Sequence, residues 1–183
     1  MKKLIFTSIC ALTLLSCGRD ETEIQSENQS LATTLKSKEV NNSLIQKNAD
    51  ITVYRYYSNS LMKHYYGVST GPIGPNNWTS EGIAFKTTSS TSGFVYGLAL
   101  MVNSTNLDMV IATSQNDRTS LEAMGYVYRE SLGWPVMQGV PGAVPVYRYY
   151  RSSKNGHFYT KDLAELGTGG NGWTYEGIAF YAY

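Results

Sequence analysis

Residues 53–57 and residues 146–150 both read Val-Tyr-Arg-Tyr-Tyr. Each copy is followed by a stretch that contains histidine and then by a stretch of the form Trp-Thr-x-Glu-Gly-Ile-Ala-Phe. These later stretches lie at 64–66 and 78–85 after the first copy, and at 157–160 and 173–180 after the second. The distance between the copies leaves room for a third unit of about 47 residues, and a period of this size indicates a domain built from repeats.

The middle unit keeps the apolar pattern and loses the polar signature. A shift of about 47 residues sets residues 99–103 against the Val-Tyr-Arg-Tyr-Tyr strand. It places Met101 where the other units have Arg, Val110 where they have His, and Arg129 where they have Glu. Arg, His and Glu are thus present together in two units and absent together from the third.

This joint presence predicts one local constellation in each outer unit. We expect the side chains of Arg148, His157 and Glu176 to lie within hydrogen-bond or ion-pair reach of one another. The same holds for the first unit. If binding uses these residues, the domain is at most bivalent.

The first residues are typical of an exported protein. Residues 1–16 combine a basic start with an apolar run too short to span a bilayer, so they are interpreted as a signal peptide. Leu14, Leu15, Ser16 and Cys17 resemble the bacterial lipobox, which implies cleavage before Cys17 and lipidation of that residue. The alternative is an ordinary signal peptide with a chance cysteine. Lipidation implies anchoring without a membrane span, at the periplasmic or cell-surface face of the bacterial outer membrane.

The rest of the chain divides into a tether and a domain. Residues 17–50 carry the lipidated Cys and a polar stretch that cannot bury enough apolar surface to fold. Residues 51–183 hold every Tyr and Trp of the chain and form the triplicated domain, with units at about 53–93, 94–140 and 144–183. The domain contains no cysteine, which excludes disulfides, thiolate metal sites and a cysteine nucleophile.

Short runs of Tyr, Val, Ile, Phe and Thr, broken by Gly, Asn, Ser and Pro, predict an all-β domain. Three units of three or four strands each favour a β-trefoil-like fold, with a β-sandwich as the alternative. Helical pattern is confined to residues 118–124 and 162–166, for which Asp117 and Asp162 are the expected caps.

The unit resembles a family of triplicated repeats of unassigned function, found on secreted and surface microbial proteins. The third unit carries the family motifs nearly throughout: Tyr-Arg-Tyr-Tyr at 147–150 and Trp-Thr-Tyr-Glu-Gly-Ile-Ala-Phe at 173–180. Residues 156–160 read Gly-His-Phe-Tyr-Thr, where the family has Gly-x-His-Phe-Tyr-Thr. The first unit departs at residues 65–67 and at Ser80. The resemblance implies an accessory, glycan-binding role.

The aromatic residues have two interpretations. Their rings can stack on sugar faces while Tyr hydroxyls bond to sugar hydroxyls, or they can pack in the core. We interpret Tyr57, Tyr65, Tyr150 and Tyr159 as outer residues suited to binding. The candidate ligand-binding residues are Arg55, Tyr57, His64, Tyr65, Trp78, Glu81, Arg148, Tyr150, His157, Tyr159, Trp173 and Glu176.

The repeated polar residues also leave alternatives open. They can bind a ligand, they can form a structural ion pair that joins strands, or Glu and His can do acid–base work. A glycosidase needs two carboxylates facing one bond, and each motif offers one Glu, so no catalytic residue is assigned. No metal site is expected from two histidines in different units, and no cofactor is expected.

The favoured function is therefore a non-catalytic surface lipoprotein with a lectin-like β domain. The alternatives are an accessory to a glycan-active hydrolase or a weak hydrolase, and a structural or protein-interaction module of a cell-surface complex. The expected partner is a glycan or another cell-surface polymer, with membrane contact through the lipid alone. Basic and acidic residues are nearly balanced after residue 50, which argues against nucleic acid.

Overall fold

The computed structural model describes residues 51–68, 71–72, 76–91 and 93–183. The expected signal peptide, the lipidation site Cys17 and the tether lie outside the described residues. Within the described residues, no helix has the length and apolar character of a membrane span.

The domain consists of three small antiparallel sheets that follow one another along the chain. The first sheet, in the order β2-β1-β3, contains β1 (Ile51–Ser58), β2 (Lys63–Gly67) and β3 (Trp78–Thr87). The second sheet, in the order β5-β4-β6, contains β4 (Ala99–Asn103), β5 (Met109–Ala112) and β6 (Tyr126–Ser131). The third sheet, in the order β8-β7-β10-β9, contains β7 (Val144–Arg151), β8 (Gly156–Thr160), β9 (Gly169–Gly170) and β10 (Trp173–Ala182).

The predicted all-β class is confirmed by these sheets. In each sheet the first strand in sequence lies between the second and the third. Val53 in β1 and Val146 in β7 are fully buried, as expected of β-branched residues on the core face of a central strand. The three separate sheets do not by themselves confirm a trefoil.

Two short helical segments occupy corresponding places after β5 and β8. Helix α1 (Gln115–Ala123) is capped by Ser114, whose hydroxyl accepts the Asp117 N–H at 3.0 Å. The prediction of Asp117 as the cap is therefore wrong, because Asp117 lies three residues inside. The predicted cap Asp162 is confirmed: its carboxylate accepts the Ala164 N–H ahead of the 3₁₀ turn Leu163–Glu165.

Each sheet has a β-bulge at the same place in its last strand. Arg55 pairs with Gly82 while the next residue pairs with Ser80, so Glu81 is the extra residue. In β10, Glu176 is likewise the extra residue, because its neighbours pair with consecutive residues of β7. The glycines after these two glutamates, Gly82 and Gly177, have φ of 91° and 108°, which favours residues without a side chain.

The bulge of the second sheet corrects the predicted alignment of the middle unit. There Leu100 pairs with Glu130 and the next residue pairs with Tyr128, so Arg129 is the extra residue. Leu100 rather than Met101 therefore holds the position of the two arginines. By the β4–β5 register, Met109 rather than Val110 holds the position of the histidines.

The second strands of the three sheets, β2, β5 and β8, contact one another in the middle of the domain. The Tyr66 hydroxyl donates to the Tyr159 carbonyl at 2.7 Å and accepts the Tyr159 N–H at 2.8 Å. The Tyr159 hydroxyl accepts the Ile111 N–H at 3.0 Å. These three residues hold the same position in their strands, and all are buried. Side-chain hydroxyls thus join the three sheets through backbone groups.

Candidate functional site

Arg55, His64 and Glu81, here called the Arg55 set, form one contact group on the first sheet. The Arg55 Nε donates to Glu81 Oε2 at 2.9 Å, and His64 Nε2 lies 3.6 Å from the same oxygen. The Arg55 Nη1 and Nη2 groups donate to the two carboxylate oxygens of Glu165 at 3.1 and 3.2 Å. Burial lowers the Arg55 pKa, but the Glu165 hydrogen bond and nearby charges raise it overall. Arg55 is thus held between two carboxylates.

His64 of this set is enclosed by aromatic rings. Its ring centroid lies 4.9 Å from that of Tyr57 and 4.6 Å from that of Phe158, a residue of the third sheet. Its Nδ1 atom is buried, with no hydrogen-bond partner among the described residues. Burial, and then the charge of Arg55, lowers the pKa of His64 to about 3. His64 is therefore neutral at pH 7 and is not a base that cycles near neutrality.

Arg148, His157 and Glu176, here called the Arg148 set, form the corresponding group on the third sheet. Arg148 Nε lies 2.9 Å and His157 Nε2 lies 3.7 Å from Glu176 Oε2. The predicted contact among these three side chains is confirmed. The Arg148 Nε–H is not directed at an acceptor, so this contact is an ion pair without a directed hydrogen bond.

Asp108 is a member of this site that the sequence did not indicate. It lies in the turn before β5 and comes from the second sheet. Its Oδ1 accepts the His157 backbone N–H at 2.9 Å, and its Oδ2 lies 2.8 Å from the His157 Nδ1. Tyr126 donates its hydroxyl to the same Oδ2 at 2.6 Å. Burial alone would raise the Asp108 pKa, but the hydrogen bonds from His157 and Tyr126 lower it.

Both sets face cavities between neighbouring sheets. The Arg55 cavity has a volume of about 270 Å³ and the Arg148 cavity one of about 380 Å³. The Arg55 cavity is lined by Arg55, His64, Glu81, Phe158, Glu165, Leu166 and Trp173. The Arg148 cavity is lined by Val110, Ile111, Asp117, Ser120, Leu121, Met124, Tyr126, Arg148, Tyr150, His157 and Glu176.

The structure separates the predicted aromatic candidates. Tyr57 and Tyr150 are partly buried beside the two histidines. Tyr65 and Tyr159 are fully buried, so the prediction that they are outer residues is wrong: β2 and β8 lie innermost and turn these rings inward.

The two tryptophans of the motif differ in their surroundings. Trp173 lines the Arg55 cavity, and the Arg151 guanidinium lies 5.7 Å from the centre of one of its rings. Trp78 packs against Tyr65, at a centroid distance of 6.0 Å, and against the core. Trp78 and Tyr65 therefore belong to the packing between the first and second sheets, where the Tyr65 hydroxyl donates to Glu130.

A family model for a domain of unknown function, DUF5648, matches residues 52–183, which contain all three sheets except the first residue of β1. The chain belongs to the DUF5648 family. This agrees with the expected resemblance to a family of unassigned function. No curated protein and no solved structure gives a significant match to this DUF5648 chain.

The described part of the DUF5648 domain contains no group of three or more His, Cys, Asp or Glu side chains that could hold a metal ion. The Arg148 cavity does hold two carboxylates, Glu176 and Asp117. Burial acts to raise the Asp117 pKa, but hydrogen bonds from Thr113 and Ser114 lower it. Asp117 therefore stays ionised at neutral pH, whereas a general acid needs a raised pKa.

Proposed function

We propose that this DUF5648 chain is a non-catalytic, lipid-anchored surface protein that binds glycan, and that its ligand site is the Arg148 cavity. The observation that carries the proposal is the composition of this cavity. A guanidinium, two carboxylates and two tyrosines, Tyr126 and Tyr150, meet in about 380 Å³. Carboxylates accept sugar hydroxyls, the guanidinium donates to sugar oxygens, and aromatic rings pack on sugar faces.

The Arg55 cavity supports binding less well. Arg55 is engaged by Glu81 and Glu165, and its side chain is 18% exposed, whereas that of Arg148 is 36% exposed. The sequence predicts two sites at most. We propose that one of the two, the Arg148 site, is open to ligand.

The finer architecture is also a proposal. A trefoil places its strands in one closed barrel with hairpins. We favour instead three copies of one three-stranded unit around a threefold pseudo-axis, with β2, β5 and β8 nearest the axis. The shared strand order, the shared bulge and the contacts among these three strands support this arrangement.

A weak hydrolase is the less favoured alternative. It would use Glu176 and Asp117 as its two carboxylates. The pKa of Asp117 is lowered, and Glu176 is paired with Arg148 at 2.9 Å. Neither observation provides the carboxylic acid of raised pKa that would protonate a leaving group.

The binding proposal is tested on the full chain, kept in mild detergent because of the expected lipid, against a broad glycan array. Arg148→Gln should abolish binding of every glycan that the parent chain binds on the array. Arg129→Gln is the matched control, because it removes the same charge at the exposed bulge of the second sheet. If the parent chain binds no glycan on the array, the proposal is overturned and the protein-interaction alternative is favoured. Equal loss in both variants would reject the Arg148 cavity as the site.

The anchor has a separate test. Cys17→Ala should move the protein from the membrane fraction to the soluble fraction, since cleavage and lipidation at the lipobox both need the cysteine. If the variant stays in the membrane fraction, the lipoprotein proposal is wrong, and the ligand proposal is unaffected.

A further inference from the structure

The two Arg-His-Glu sets differ in what lies on the far side of the arginine. Beside Arg55, the carboxylate of Glu165 receives both terminal nitrogens, at 3.1 and 3.2 Å. This is the paired geometry by which a guanidinium holds a planar carboxylate. Glu165 lies in the 3₁₀ turn that follows β8, so the third unit supplies a carboxylate to the arginine of the first.

Asp117 is the counterpart of Glu165 beside Arg148. Each residue lies three positions after the cap of its helical segment, Ser114 or Asp162. Asp117 is one methylene shorter, and its Oδ2 accepts the backbone N–H and the hydroxyl of Thr113 at 3.1 and 2.7 Å. Among the described residues, Glu176 is the one carboxylate in ion-pair contact with Arg148.

Two further replacements enlarge the space in front of Arg148. Phe158, whose ring centre lies 5.0 Å from the Arg55 guanidinium, has Val110 as its counterpart in β5. Trp173 has Tyr126 as its counterpart in β6, since each lies three residues before the bulge of its strand. All three replacements, Asp117 for Glu165, Val110 for Phe158 and Tyr126 for Trp173, leave more space in front of the arginine. The Arg148 cavity thus lacks the internal carboxylate contact that Glu165 makes with Arg55, because Asp117 is bound to Thr113 instead.

We propose that the Arg148 cavity binds a carboxylate of its ligand, in the place that Glu165 takes beside Arg55. The ligand is then an acidic glycan, one that carries uronic acid or another sugar acid. This inference rests on the proposed function and adds the class of glycan.

The charges around the cavity set the strength of this binding. Asp108 is engaged by His157 and Tyr126, and Asp117 by Thr113, so both remain as negative neighbours of an incoming carboxylate. Like charges nearby weaken a single contact. We therefore expect weak binding of one sugar acid, and tight binding of a polymer only where the protein is displayed in many copies on a membrane.

The ligand test uses one polymer in two forms: a polyuronate, and the same polymer with its carboxylates reduced to primary alcohols. The full chain is transferred from detergent into lipid vesicles, the detergent is removed, and binding of each polymer is measured at low and high salt. The polyuronate should bind at least tenfold more tightly than its reduced form, and the preference should shrink at high salt. Equal binding of both forms, or no binding of either, overturns the acidic-ligand inference. Equal binding leaves the glycan proposal standing, because the neutral polymer is itself a glycan.

Variants test the internal-carboxylate argument. Asp117→Glu should restore the longer acid and reduce polyuronate binding at least tenfold, and Val110→Phe should do the same by filling the cavity. Asp117→Asn removes the like charge and should bind several-fold more tightly. Thermal unfolding must match the parent chain in each case. If Asp117→Glu and Val110→Phe both fold and both bind as the parent does, the carboxylate does not lie in this cavity and the inference falls.

Discussion

One position, the first residue of β2 and β8 and the residue just before β5, carries three different residues with three different effects. Lys63 in the first sheet donates its ammonium to backbone carbonyls of the turns at Asn106 and Asn155. Asp108, its counterpart in the second sheet, binds His157. Gly156 in the third sheet has no side chain, and the Nδ1 of His64 is left without a partner in the described structure. A single position therefore makes the two histidine environments different.

The environment of His64 predicts a pH effect on stability. The folded pKa of about 3 lies below the ordinary value of 6.5, so the unfolded chain takes up a proton first as the pH falls. Stability from this source is complete above pH 6.5 and is lost between pH 6.5 and about 3. His64→Gln should reduce the slope of unfolding free energy in this range by up to ~1.4 kcal/mol per pH unit. Chemical denaturation at several pH values measures the slope; an unchanged slope would contradict a buried neutral His64.

Asp108 predicts a second pH effect on stability, this time from an acidic group. Its lowered pKa means that its contribution is present above the ordinary value of 3.8 and is lost as the pH falls through the folded value. Asp108→Asn should destabilise the domain by about 1–3 kcal/mol at pH 7, because a hydrogen-bonded buried charge is removed. The difference from the parent should shrink in acid. Asp162→Asn is the control, since asparagine is as good a helix cap as aspartate; equal effects of the two changes would refute the special role of Asp108.

At the scale of elements, the sequence predicts the strands of the outer units well because their motifs contain Tyr, Val, Ile and Phe in alternation. It predicts the contact of Arg148, His157 and Glu176 because their joint loss in the middle unit is visible in the chain. It misses Asp108, since that residue comes from a neighbouring sheet and has no counterpart in the motif. The predicted register of the middle unit is right at Arg129 and wrong by one residue in β4 and β5, because these apolar strands offer no polar residue to fix the alignment.

The contacts among the innermost strands make a prediction of their own. Tyr159→Phe removes the acceptor of the buried Ile111 N–H and should destabilise the domain by about 1–3 kcal/mol. Tyr54→Phe, on the exposed side of β1, should change the stability by less than about 0.5 kcal/mol. Urea denaturation of both variants makes the comparison. Equal values would mean that the tyrosine hydroxyls do not join the sheets energetically.

At the scale of the whole molecule, three similar units supply different residues to the two cavities. The second unit has no Arg-His-Glu set; it supplies Val110, Asp117 and Tyr126 to the Arg148 cavity, and its Asp108 binds His157. The third unit supplies Phe158, Glu165 and Trp173 to the Arg55 cavity, where Glu165 pairs with Arg55. Repetition of the motif therefore predicts two sites at most, and we propose that the residues from the neighbouring units leave one of them, the Arg148 site, open to ligand.

The chain contains two histidines, and each lies in one of the two sets. Their ring signals in NMR spectra of the full chain, assigned with His64→Gln, report directly on which cavity a ligand enters. On titration with an oligosaccharide fragment of a glycan that the chain binds, we expect the His157 signals to shift with saturation at one ligand per chain, while the His64 signals stay in place. Shifts of His64 alone, or of both histidines at two ligands per chain, would contradict the assignment of the Arg148 cavity as the single open site.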